Sequence, residues 1–197
     1  MYGDPHVVTL DGHKYTFNGK GEYTLVATQD DSFTLQGRMV DALSSNGSTT
    51  TRGTVFSALA AKQNESDTVQ FQLTDTGLVS LVNGVEFTFD EVEEEVFSNV
   101  IVSKEANGSF SATFTIGVYL EVRLANNSNS GPYISAVIVS LPERFSGQTI
   151  GLMGNYNGDA SDDLVPRFGG EPLPLNASLE TLHWDFGVTC EPIVCGV

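Results

Sequence analysis

Cysteine is nearly missing from this chain: only Cys190 and Cys195 occur among 197 residues, both at the far end. A disulfide framework is therefore excluded, although the C-x4-C pair can close one small bridge or pair with sequence further along. A structural zinc site needs about four ligands, and no histidine stands near the pair. Basic residues are scarce as well. Nine Lys and Arg face 25 Asp and Glu, for a net charge of -16. Phosphates are gripped by clustered positive charge, so nucleic-acid binding and docking on anionic lipid are both excluded. Histidine is limited to His6, His13 and His183. No G-x-S-x-G, H-E-x-x-H or phosphate-cradling glycine loop is present, and an enzyme with turnover is not expected. His13, next to Gly12, reads as part of the first turn, and His183, beside Trp184 and Phe186, as part of a packed terminal helix. No run approaches the roughly 18 apolar residues that span a bilayer, so direct membrane insertion is not expected. The start, "MYGDPHVVTL", lacks the basic and apolar regions of a signal peptide, and the chain reads as an excised piece of a longer protein.

What is present is a globular composition, 40% hydrophobic and 17% charged. Short runs rich in β-branched and aromatic residues alternate with turns: "HVVTL", "KYTFN", "EYTLVAT", "SFTLQGRM", "TVFSALAAK", "TVQFQL", "LVSLV", "VEFTFD", "VFSNVIV", "SFSATFTI", "VYLEVRL" and "YISAVIVSL". Period-two alternation, as in Thr68–Leu73, marks strands. Asn83-Gly84 inside "VNGV" predicts a type I′ hairpin turn. The expected fold is all-β, an antiparallel β-sandwich of more than ten short strands, with one short C-terminal helix in "SLETLHWDFG" capped by Ser178 and carrying Glu180 in its first turn. Residues 1–189 read as one domain and 190–197 as the start of a following segment. Ser44–Arg52 and the acidic "DEVEEEV" at Asp90–Val96 read as exposed loops. Five Asn-x-Ser/Thr sequons, at Asn46, Asn64, Asn107, Asn126 and Asn176, point to glycosylation and an extracellular or secreted location.

One loop, "GLMGNYNGDASDDLV", crowds Asn155, Asn157, Asp159, Asp162 and Asp163 into nine positions. Calcium takes six to eight oxygens from carboxylates, amides, carbonyls and water, and a turning loop with donors at this spacing can wrap one ion. Gly158 supplies freedom for a tight turn. The spacing is not that of an EF-hand. A solvated loop of Asx turns is the alternative.

The stretches "GDPHVVTLDGHKYTFNGKGEYTLV" and "GLMGNYNGDASDD", in this order, resemble a von Willebrand factor type D domain. The segments "TLQGR" and "LPERFSGQTIGLMGNYN" are similar to its cysteine-poor version in mucin-like and sushi-domain cell-surface proteins. The resemblance implies a calcium site in which Asp11 joins Asn155, Asn157, Asp162 and Asp163 by side chain and Asp159 by its backbone carbonyl. Most members carry Cys where Gly21 and Met153 stand, so this chain departs from the pattern, and disulfide multimers are not expected. The resemblance also bears on Gly3-Asp4-Pro5-His6. An Asp4 carboxyl attacking its own carbonyl forms a cyclic anhydride, Pro5 nitrogen leaves readily, and His6 can supply the proton. The resemblance implies self-cleavage at Asp4–Pro5; a structural turn into the first strand is the alternative. The expected function is a non-enzymatic, calcium-stabilised extracellular adhesion or spacing module, with neighbouring modules and extracellular proteins as partners. Recognition of a basic partner through the acidic surface, or a calcium-regulated switch, stand as the other readings.

Overall fold

The computed structural model describes residues 1, 6–43, 49–89, 93–105, 108–127 and 131–188, with the side chains of 43, 49–52 and 127 left aside. Its strands are β1 (His6–Val8), β2 (Lys14–Thr16), β3 (Gly21–Thr28), β4 (Phe33–Leu43), β5 (Thr49–Gln63), β6 (Val69–Thr74), β7 (Gly77–Val82), β8 (Val85–Phe87), β9 (Glu94–Phe97), β10 (Val100–Lys104), β11 (Phe110–Phe114), β12 (Tyr119–Asn127), β13 (Gly131–Ser140) and β14 (Thr149–Ile150). One α-helix, α1, spans Leu179–Phe186. The strands form a β1-β2 hairpin, a five-stranded sheet ordered β13-β12-β11-β10-β9 and a seven-stranded sheet ordered β14-β3-β4-β5-β6-β7-β8. Every named pairing is antiparallel.

The two large sheets close on one apolar core. Leu25, Phe33, Leu35, Leu59 and Phe71 from one, and Val102, Phe110, Phe114, Leu120 and Val122 from the other, are buried together. Phe33 meets Phe114 edge-on at 5.3 Å between ring centroids, and Phe71 meets Phe110 at 5.9 Å. Gln63 bridges two strand ends, its Nε2 donating to Thr115 Oγ1 and its Oε1 accepting from Ile116 N. The architecture is the expected β-sandwich.

Local signals were realised where turn chemistry is explicit. Asn83 (φ 51°) and Gly84 (φ 78°) both sit at positive φ between Val82 and Val85, which pair across the turn. Ser178 caps α1 by accepting from Thr181 N at 3.1 Å. Three expectations need correction. The single run "VFSNVIV" is two strands, because Asn99 takes φ 57° and folds β9 back onto β10. The acidic stretch is not all loop: Glu94–Val96 belong to β9, although Glu93 and Glu94 stay exposed. Likewise β5 already begins at Thr49, so Thr49–Arg52 are strand and not loop. Within α1 the buried residues are Leu182 and Phe186, while Trp184 is 77% exposed. His183 nevertheless packs, its Nδ1 lying 2.7 Å from Tyr23 Oη.

Candidate functional site

The candidate site joins the turn between β1 and β2 to the loop after β14. Thr9 closes the first turn, donating its backbone N–H to His13 O and accepting from His13 N through Oγ1 at 2.8 Å. His13 stacks on Tyr15 at 5.5 Å. Four contacts then cross more than 130 residues of sequence. Leu10 N donates to Met153 O at 2.7 Å. Tyr15 Oη donates to Leu152 O at 2.5 Å. Asn157 N donates to Asp11 Oδ2 at 2.8 Å, and Thr9 Oγ1 donates to Asp163 Oδ2 at 2.6 Å. The hairpin and the late loop are thereby fastened as one unit, which in turn hangs on β3 through Leu152 N to Thr24 O and Met153 N to Leu25 O.

Within the loop, each nominated residue has a definite place. Asp163 is fully buried. Burial pushes its carboxyl pKa up, Thr9 opposes that by hydrogen bonding, and nearby Asp11 raises it further. Burial, with the Asp163 charge added, likewise drives the Tyr15 phenol well above its ordinary range. Asp162 accepts from Asn155 Nδ2 at 2.9 Å and from Asn157 Nδ2 at 3.0 Å. Asn157 Oδ1 accepts from Asp159 N at 2.7 Å, an Asx turn. The Asp159 carboxylate turns away to Ser161, accepting from its N and Oγ, and those bonds hold its pKa below the usual range. The Asp159 carbonyl accepts from Asp162 N at 3.4 Å within the loop.

Among the described residues, no group of three His, Cys, Asp or Glu side chains is arranged to hold a metal. Carboxylates alone therefore do not make a cage here, and any ion must draw on amide and backbone oxygens. One such oxygen stands ready. Asn155 Oδ1 is buried and has no hydrogen-bond partner, an expensive arrangement for an amide oxygen. Beside it, Gly154 leaves open the space next to Asp163: a Cβ there would lie 2.1 Å from Asp163 Oδ1. Six residues nominated from sequence, Asp11, Asn155, Asn157, Asp159, Asp162 and Asp163, are thus linked through one hydrogen-bonded loop. Thr9, Tyr15 and Gly154 were not foreseen. Gly154 is the one with a visible signal, since it opens the "GNYNG" turn.

Of the self-cleavage tetrapeptide, Asp4 and Pro5 lie outside the described residues, as do Cys190, Cys195, Asn46 and Asn107. His6 is exposed at the start of β1, with Nδ1 3.1 Å from Thr16 Oγ1. Asn64, Asn126 and Asn176 are exposed, as glycosylation requires. Among the described residues, no helix is long and apolar enough to cross a membrane.

Comparison with known proteins agrees with this arrangement of fold and loops. The family model described as von Willebrand factor type D domain matches residues 1–169. Sushi domain-containing protein 2 of Homo sapiens is 37% identical over 183 residues, covering 92% of this chain and 21% of that protein. Mucin-4 of Rattus norvegicus is 35% identical over 207 residues, 96% of this chain and 8% of its own length. Protein mesh of Bombyx mori is 32% identical over 201 residues, 94% of this chain and 12% of that protein. The chain therefore spans no more than 21% of these relatives. With the family model covering most of its length and both signature loops joined in the fold, the chain belongs to the von Willebrand factor type D domain family.

Proposed function

We propose that this chain is a non-enzymatic, extracellular structural module of a larger mucin-like or adhesive cell-surface protein, its two ends fastened by calcium. The observation that carries the reading is the orphaned, buried Asn155 Oδ1 beside the fully buried Asp163. A buried carboxylate and an unpartnered amide oxygen in one loop are costly unless a positive charge compensates them. Asp11, Asn155, Asn157, Asp162 and Asp163 by side chain and Asp159 by its carbonyl would hold the ion. A hard divalent cation suits such oxygen donors and supplies charge compensation there.

Thermal unfolding with excess calcium and with a chelator tests this. At about a hundred times Kd, calcium adds roughly 2.7 kcal/mol, so the wild-type Tm rises by roughly 5–11 °C at about 2–4 °C per kcal/mol. Asp163→Ala shows no rise, and the half-buried Asp11→Asn, a milder change, shows a reduced one. A wild type whose Tm ignores calcium leaves only a hydrogen-bonded turn.

The reading includes scission at Asp4–Pro5. The Asp4 carboxylate attacks its own carbonyl carbon, the C–N bond to Pro5 breaks as that nitrogen takes a proton, and water opens the resulting anhydride. The exposed His6 imidazole, adjacent in sequence, is the proton source this scheme uses. Mass spectrometry after incubation at mildly acid pH is expected to find new termini at Asp4 and Pro5, absent in Pro5→Ala. Intact wild type under those conditions removes this part of the reading and leaves the calcium part standing.

A further inference from the structure

A groove of about 310 Å³ lies against the outer face of the seven-stranded sheet, lined by Thr24, Thr34, Gln36, Lys62, Asn64 and Phe168 among others. That volume is at the small end of ligand-sized clefts, roughly 300–1,000 Å³. Leu35 and Ala61 point into the core, so their alternating neighbours Thr34, Gln36 and Lys62 face outward and form the floor. The pairing register sets Thr24 beside Gln36 and Thr34 beside Lys62. One wall is the turn Pro166–Gly169, closed by Gly169 N donating to Pro166 O at 3.0 Å. It presents Phe168 with 85% of its surface in solvent, under the Arg167 guanidinium at 5.5 Å from the ring centroid. The β5–β6 loop also lines the groove through Asn64, whose N donates to Ser32 O at 3.0 Å.

Asn64 is both a lining residue and the acceptor of an Asn-Glu-Ser sequon. Among the described residues its side-chain amide has no hydrogen-bond partner, so nothing competes for the nitrogen that a glycan would occupy. Of the three described sequon asparagines it is the one that lines this groove. We propose that the groove is the seat of the first sugars of a glycan carried on Asn64. The chemistry matches on both sides. A hexosamine offers hydroxyl and acetamide groups to Thr34 and the exposed Lys62 on the floor, and an apolar C–H face to an exposed aromatic ring. The large exposed Phe168, one face of which lies under the Arg167 guanidinium, thereby gains a second partner. The proposal rests on the extracellular location and is independent of calcium.

The test compares the chain made in a glycosylating secretory host with the same chain made in bacteria. Peptide mass mapping is expected to find Asn64 occupied. Glycosylated wild type melts about 2–4 °C above glycosylated Asn64→Gln, and trimming to a single N-acetylglucosamine keeps that gain. Phe168→Ala removes the gain in the glycosylated chain and leaves the bacterial protein within about 1 °C of wild type, as an exposed substitution does. The variant is Asn64→Gln because Ser66 is structural: its buried hydroxyl accepts from Gln63 N and donates to Asp67 O. An unoccupied Asn64, or a Phe168→Ala effect of equal size in both proteins, overturns the proposal. So does capture of a soluble oligosaccharide in the groove of the fully glycosylated chain, since the seat would then be vacant.

Discussion

Gly154→Ala is expected to lower stability by roughly 2–6 kcal/mol, summing the cost of a strained backbone and of an overpacked site. Gly154 takes φ +93°, where side chains are rarely found. Its added Cβ would fall 2.1 Å from Asp163 Oδ1 and 2.7 Å from Asp163 Cγ. A flexible carboxylate would step aside cheaply, but this one is pinned: Thr9 Oγ1 holds the other oxygen at 2.6 Å, and the residue is fully buried. Moving Asp163 therefore breaks the link between hairpin and loop. The matched control is Gly158→Ala, whose φ of +88° brings similar backbone strain while its Cβ meets nothing within 4 Å. Urea midpoints at constant m-value measure both. The alanine at 154 is expected to cost clearly more and to abolish the calcium response, whereas the alanine at 158 keeps it. Equal costs would mean that the packing of Asp163 against residue 154 contributes nothing.

Phe114→Ala probes the other half of the structure and is expected to cost about 3–5 kcal/mol, as large-to-small changes of buried aromatic residues do. Phe114 is 1% exposed, lies edge-on to Phe33 of the opposite sheet and stands among residues that no water reaches. Truncation removes apolar area from the junction of the two sheets and leaves a cavity that rigid strands cannot close. For a domain of this size the Tm falls by roughly 6–20 °C. Val85→Ala, at a position 69% exposed on β8, is the control and stays near wild type. If the two substitutions cost the same, the sheets do not pack through Phe114.

The sequence was legible wherever a residue's own backbone preference decides the outcome. Asn83-Gly84 fixed a hairpin because both residues tolerate positive φ, and Ser178 marked a helix start because its hydroxyl satisfies an N–H in the first turn. Asn99 achieves a similar reversal without a following glycine, which is why β9 and β10 read as one strand. Alternation told polar from apolar but not wet from dry. Gln36 and Gln70 lie on the face opposite the core, yet each is only 5% exposed. The loop residues 155–163 were visible as a local cluster of oxygen donors, and Asp11 was reached only through the family resemblance. Thr9 and Tyr15 could not be seen, because their partners are 154 and 137 positions away and nothing in a lone threonine or tyrosine announces a long-range contact. The turning of the Asp159 carboxylate onto Ser161 is likewise a matter of side-chain direction, which spacing does not encode.

The first hairpin and the residue after the helix share an anchor in β3, whereas Met1 exchanges two hydrogen bonds with Val137 of β13 in the opposite sheet. Leu10 reaches Leu25 of β3 through Met153, and at the other end Val188 N donates to Glu22 O at 2.8 Å. Glu22 and Leu25 are three positions apart, roughly 10 Å of extended backbone. Tension along a stretched parent molecule therefore enters β13 of one sheet at Met1 and β3 of the other at Val188, and the sandwich lies in the line of force. Under load the core strands are drawn out only after Met1 lets go of Val137 or the tail lets go of Glu22.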